Sequence, residues 1–313
     1  MTDNCALALK IDVDTLKGYR EGLPRLLDML KRRGIRASIF FSMGPDNSGK
    51  AVRRIFRRGF VSKMLRTRAP STYGLKTLLY GTLLPAPMIV ESDPGLLRRA
   101  VDEGHDCGVH AWDHVFWQDR LPSLSREAVR GQFARSMELF ERVSGTAPAC
   151  CAAPGWQTTP DALAVQDELG FAYCSDVRGT GPSLPRVFLP RMGGTTFRTP
   201  QIPSTLPTLD ELWGTDGLDA DTVNDRYLDL LEPGVNVHTI HTEMEGGAMS
   251  GVFEALLDAC LEGEMAFMTL REVLAGAAAT ADGGAAPLPV SEVVMREIPG
   301  RAGTLAVQQA AEG

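Results

Sequence analysis

The chain of 313 residues reads as an α/β protein whose strands close, fully or in part, into an irregular β/α barrel. Three observations predict this. Short apolar runs alternate with stretches of helical periodicity from Cys5 to about residue 275, which implies a parallel sheet. The turn after the first run holds Asp12-Val13-Asp14, where an open dinucleotide-binding sheet would carry a glycine-rich phosphate loop. Residues with chemical potential gather at predicted strand ends, as they do in barrels: Asp12 and Asp14, His110, Pro154 and Gly155, Asp176, and His241.

The first strand is the run Cys5 to Ile11. Leu23, Leu26, Leu27 and Leu30 then recur at helical spacing behind Pro24, a first-turn proline, and Gly34 supplies a stop. Strand 35–42 follows, then helix 94–101, strand 107–110 and helix 125–143, with Val129, Phe133, Met137 and Phe140 on one stripe. The alternation continues through strand 147–152, helix 160–169, strands 171–175 and 235–241, helix 253–261 and strand 265–268. Residues 1–275 form the expected catalytic domain, interrupted at 44–93 by an insertion after the second strand, and residues 276–313 read as a flexible linker and tail.

A formal charge of −7 argues against a general nucleic-acid binder. The six cysteines show no CxxC spacing and read as reduced, mostly buried thiols. The N-terminus lacks the pattern of a signal peptide, and the longest apolar stretch, 78–90, is broken by Gly81, Pro85 and Pro87. Location in the cytoplasm is the expectation.

The insertion is the exception to the acidic average. No acidic residue lies between Asp46 and Glu91, while Lys50, Arg53, Arg54, Arg57, Arg58, Lys63, Arg66, Arg68 and Lys76 do. On a helical projection Val52, Ile55, Phe56 and Phe60 share one face and Lys50, Arg53, Arg54, Arg57 and Arg58 the other, the pattern of a helix lying in an anionic membrane surface. The rival readings are a core-packed helix with a solvated basic side and, third, a nucleic-acid site.

The chemistry-bearing residues form two sets. Strand residues i and i+2 share a face, so Asp12 and Asp14 emerge together; one carboxylate can bind metal while the other takes a proton. Such a pair can also cap a helix, bind magnesium together with phosphates, or stay solvated. His110 and His114 are four apart, a spacing that puts both imidazoles on one side of a helical turn, although HxxxH by itself is more often a pair of satisfied histidines. Aspartate and two histidines together make an open coordination set for one divalent ion, with zinc, manganese, cobalt and iron equally suited. Asp113 can hydrogen-bond a ligand or face water. His238 is structural, on the face opposite His241, and His105 is a surface residue. Glu243 and Glu245 fit sugar contact or scaffold, and Trp112 and Trp156 stacking or packing.

In this order Asp12-x-Asp14, His110-xxx-His114, Ala153-Pro154-Gly155-Trp156, Ser175-Asp176 and Thr239-Ile240-His241 resemble the five motifs of the polysaccharide deacetylase superfamily, across roughly residues 5–275. The resemblance implies a metal-dependent amide hydrolase with Asp14, His110 and His114 as ligands, Asp12 as base and His241 as acid. The oxyanion would be held by the metal and by backbone N–H groups near Gly155 and Trp156. The chain departs from the pattern at Ala152, where the superfamily carries an arginine that orients the catalytic carboxylate; Arg178, two residues after Asp176, is either its replacement or a solvated loop arginine.

More specific stretches are Ile11–Thr15, Arg20–Leu27, Ala37–Asn47, His110–His114, Gln201–Pro203 and His241–Gly246. They are similar to the bacterial deformylases that act on 4-deoxy-4-formamido-L-arabinose carried by undecaprenyl phosphate. That likeness implies release of formate to give the free aminoarabinose lipid for lipid A modification and polymyxin resistance. It also implies a lipid-linked sugar and an anionic membrane surface as partners, no nucleic acid, a peripheral place on the inner face of the cytoplasmic membrane, and Arg53, Arg54, Arg57 and Arg58 as membrane or phosphate contacts.

Overall fold

The computed structural model describes residues 5–51, 76–179, 181, 184, 186–278 and 287–309. Its framework is a parallel sheet of β1 (Cys5–Val13), β2 (Ser38–Ser42), β3 (Asp106–Ala111), β4 (Cys150–Cys151), β5 (Tyr173–Cys174), β8 (Gly234–His241) and β9 (Ala266–Met268). The order is β5-β4-β3-β2-β1-β8, and β9 pairs with β1 at residues 6–8, below the stretch 10–13 that pairs with β2. The extended segment 201–206 spans the gap between the outer strands. Ile202 N–H donates to the Cys174 carbonyl at 2.9 Å, and Thr205 N–H to the Val237 carbonyl at 3.0 Å. The ring is therefore a curled, irregular, partly closed barrel, as the alternation predicts.

The period of two along β1 decides what goes where. Leu7, Leu9, Ile11 and Val13 join the large core under the helices, whereas Ala8 joins a smaller cluster with Phe40, Ala152, Ile202 and Val237 inside the ring. Lys10 and Asp12 belong to that inner face. The covering helices are α1 (Leu23–Arg32), α2 (Pro94–Asp102), α3 (His114–Arg120), α4 (Arg126–Ser144) and α5 (Pro160–Leu169). After them come α6 (Leu209–Leu212), α7 (Val223–Asp229), α8 (Ser250–Glu262) and α9 (Leu270–Ala278). Their starts follow local chemistry: Asp93, Ser125 and Thr159 cap α2, α4 and α5 through side-chain oxygens, and Pro94 and Pro160 occupy first-turn positions.

One expectation is corrected. Much of the span read as a tail is folded: β10 (Val290–Glu297) and β11 (Thr304–Gln309) pair antiparallel, and β10 runs parallel to β6 (Leu189–Met192), itself paired with β7 (Thr195–Thr196). Leu305 and Val307 pack on Trp156, so the hairpin gains stability from residues distant in sequence. The insertion closes at its base, where Asp46 N–H donates to the Pro87 carbonyl and Ile89 N–H to that of Gly44, each at 2.8 Å. Its basic stretch at 52–75, with Arg53, Arg54, Arg57 and Arg58, lies outside the described residues. No disulfide joins the six cysteines. Among the described residues no helix is long and apolar enough to cross a membrane.

Candidate active site

At the C-terminal end of the barrel, β1, β3 and β8 each deliver a side chain. Asp12 sits opposite His241 in the parallel register of β1 and β8, so both project to the same face. Asp14 lies one residue beyond β1, and its carboxylate oxygens are 3.3 Å from His110 Nε2 and 3.3 Å from His114 Nε2. The three ligand atoms lie within 4.8 Å of one another, which gives a divalent ion two imidazoles and a carboxylate converging from one side. The donor set fits such an ion on a second ground: Asp14 Oδ1 is buried without a hydrogen-bond donor, an arrangement that a cation would satisfy.

The histidines meet by a route other than the helical turn expected from their spacing. His110 is on β3 and His114 opens α3; the strand-to-helix turn folds one over the other, with ring centroids 5.3 Å apart. Asp113 makes that turn. Its half-exposed carboxylate caps α3 by accepting from Phe116 N–H at 2.9 Å and also accepts from Asn47 Nδ2 at 2.6 Å, so it is engaged in the turn rather than on a ligand imidazole.

The electrostatics favour positive charge between these groups. Burial would raise the Asp14 pKa, but His114, then His110, outweigh it and hold the carboxyl well below its usual range. Burial likewise opposes protonation of His110, yet Asp12 and Asp14 win and raise its pKa.

Behind these residues, Glu243 Oε1 accepts from Thr15 N–H at 2.8 Å and from Thr15 Oγ1 at 2.7 Å, fixing the turn that presents Asp14. Glu245 Oε2 accepts the His241 N–H at 2.9 Å. Burial pushes both carboxyls up to about 8. Glycine is required where these segments cross: a Cβ on Gly18 would lie 2.1 Å from Glu243 Oε1, and one on Gly22 2.0 Å from the Thr242 carbonyl. One oxygen of each glutamate is thus scaffold for the site, while the other, Glu243 Oε2 and Glu245 Oε1, is buried without a hydrogen-bond partner.

Gly155 and Trp156 both adopt positive φ, 58° and 54°, a strained state for tryptophan. The turn is held by Trp156 Nε1 donating to Ser204 at 3.0 Å and by three cations over the indole: Lys10 at 5.2 Å, Arg178 at 4.9 Å and Arg301, from the C-terminal hairpin, at 4.6 Å. Trp156 is therefore packing rather than a sugar platform. Its N–H donates to the Ala153 carbonyl at 3.2 Å, which corrects its assignment as an oxyanion donor and leaves Gly155 as the candidate.

Arg178 is also corrected. Its Nη1 pairs with Glu211 Oε1 at 2.7 Å and its guanidinium lies on Trp156, so it is committed away from Asp12. Asp176 is buried and accepts from Gln166 Nε2 at 2.6 Å, a supporting position behind the site. The residue next to Asp12 is one the sequence reading passed over: Lys10, with Nζ 3.4 Å from Asp12 Oδ2. Its signal was a lone lysine in an apolar strand, two residues before Asp12.

His238 is buried on the opposite face against Tyr227, with burial lowering its pKa to about 3, in keeping with a structural role. His105 is buried rather than on the surface; its Nδ1 accepts from Ala37 N–H at 3.1 Å.

The polysaccharide deacetylase domain model matches residues 11–174. A Shewanella sediminis protein named probable 4-deoxy-4-formamido-L-arabinose-phosphoundecaprenol deformylase is 38% identical over 96% of this chain and 94% of its own. One of the same name from Wigglesworthia glossinidia brevipalpis is 29% identical over 93% of this chain and 98% of its own. Among solved structures, a putative polysaccharide deacetylase from Mycobacterium smegmatis superposes with TM-score 0.57 at 13% identity, covering 88% of this chain and 91% of that one. A peptidoglycan N-acetylglucosamine deacetylase gives TM-score 0.52 at 17% identity over 86% and 88% of the two chains. These structural likenesses establish the fold.

Proposed function

We propose that this chain, which belongs to the polysaccharide deacetylase family, hydrolyses the N-formyl group of 4-deoxy-4-formamido-L-arabinose on undecaprenyl phosphate, releasing formate and the free aminoarabinose lipid. The observation that carries the reading is one juxtaposition: Asp14, His110 and His114 converge as a ligand set beside Asp12 and His241, which share a register on adjacent strands.

Asp14, His110 and His114 would hold one divalent ion. When bound, such an ion polarises the acyl carbonyl and lowers the pKa of water toward neutrality. Asp12 takes a proton from the attacking water as its oxygen bonds to the formyl carbon. The Gly155 N–H lies on the turn that stabilises the developing oxyanion. His241, its backbone pinned by Glu245, delivers a proton to the sugar nitrogen as the C–N bond breaks. Water is consumed, and formate and amine are the products.

A lipid-borne substrate agrees with the placement of the insertion. It leaves the barrel just after β2, at the end where the site lies, and Asn47 ties it to the turn before His114. Its described part exposes Leu79, Leu83 and Leu84, with Leu83 at 81%. These leucines and the basic run at 50–76 support docking on the anionic inner face of the membrane, with the basic residues reaching the substrate phosphate. The test is release of formate from synthetic polyprenyl-phosphate formamidoarabinose by metal-loaded protein, with the N-acetyl analogue alongside. Formate without acetate is expected. Acetate without formate would replace the reading with a deacetylase.

A further inference from the structure

We propose that Lys10 is the positioning residue for the catalytic carboxylate of Asp12, a role that rests on the hydrolase reading above. Lys10 is fully buried inside the ring. A buried ammonium is costly unless its charge is matched and its protons are accepted. Nζ lies 3.2 Å from the Ser175 carbonyl and 3.4 Å from Asp12 Oδ2, with the rings of Trp156 and Phe40 at 5.2 and 5.9 Å. Asp12 is the carboxylate in ion-pair range of Lys10 among the described residues.

The geometry divides labour between two carboxylates that strand periodicity places on one face. Asp14 meets the two imidazoles, while Asp12 stands outside that ligand group. Lys10 anchors Oδ2 of Asp12, and the buried Oδ1 has no hydrogen-bond partner. One oxygen is tethered and the other is left to receive a proton. The Ser175 carbonyl accepts from the tip of Lys10 and two aromatic rings flank it, which favours this one placement of the ammonium. Ala152 carries no polar group, and Arg178 is spent on Glu211, so the cation that orients Asp12 comes from Asp12's own strand, two residues earlier.

The test compares Lys10→Met, Lys10→Arg and Asp12→Asn, each loaded with metal and assayed for formate release from the same formamidoarabinose lipid. Wild-type turnover comes first: without it the hydrolase reading fails, and with it the variants judge Lys10 alone. We expect Lys10→Met to lower kcat by about 10²-fold, the lower range for general-base catalysis. KM should stay within about twofold, metal stoichiometry should not change, and Lys10→Arg should recover most of kcat. In the Asp12→Asn background the Lys10→Met change should have little further effect, since it acts through Asp12. Should Lys10→Met not melt cooperatively, Lys10→Gln, which can still donate to Ser175, is read in its place. An undiminished kcat, an equal loss in the Asp12→Asn background, or loss of bound metal would overturn the assignment.

Discussion

The two ends of one sheet each bury a polar cluster, and they are built to opposite rules. At the N-terminal end, Asp106 at the start of β3 accepts from Ser38 at 3.1 Å, from Arg271 Nε at 2.9 Å and from the Tyr173 hydroxyl. At the C-terminal end, Asp12 Oδ1, Asp14 Oδ1, His110 Nδ1, Glu243 Oε2 and Glu245 Oε1 are buried without hydrogen-bond partners. Other buried polar atoms of the chain also lack partners, Glu103 Oε2 and Gln132 Oε1 among them, but at this end they gather around the ligand set, where an ion and a substrate can supply the partners. The paired cluster suits upkeep of the barrel, and the open one suits the metal and substrate of the proposed function, the usual division between the two faces of a β/α barrel.

This contrast can be broken in graded steps. The largest effect belongs to Asp14→Ala, expected to abolish both stoichiometric metal binding and formate release, about 10³-fold or more in kcat, while the melting transition of the metal-free protein persists. Metal analysis with single-turnover assay checks it. The mirror-image change, Asp106→Ala, strands Tyr173 and the partly exposed Arg271; it should cost about 3 kcal/mol in denaturant unfolding and leave kcat of the folded fraction near wild type.

A smaller effect sharpens the comparison within the upper end. Gly18→Ala must displace Glu243 and so tilt the turn that carries Asp14; a kcat loss of about tenfold with unaltered KM is expected from steady-state kinetics. The smallest is a pH effect. His110 must be deprotonated to bind metal, and its pKa is raised above its ordinary value of 6.5, so metal affinity should decline on acidification from a higher pH than for an unperturbed histidine. Calorimetric titration from pH 8 to 6 checks the direction, and affinity rising as pH falls would contradict it.

Much of this was legible in the sequence because it depends on period and order. The two-residue repeat of β1 places Asp12 beside Asp14, and the same repeat separates His238 from His241. That rule also places Lys10 on the catalytic face, but nothing local to β1 reveals that Ser175, Trp156 and Phe40 will enclose its tip. Arg178 misled for the same reason: its position beside Asp176 suggested the site, while its partner Glu211 arrives from α6. The β10–β11 hairpin follows an Ala/Gly-rich stretch and owes its place to β6, about 100 residues earlier, a pairing no short window contains.

The most direct test of the upper end as a metal-dependent hydrolytic centre is formate release from the formamidoarabinose lipid before chelation, after it, and after one equivalent of divalent metal is restored, with thermal unfolding followed on the same samples. The account predicts that release stops on chelation and returns with metal while a cooperative unfolding transition persists throughout. Release that continues undiminished in metal-free protein would contradict it.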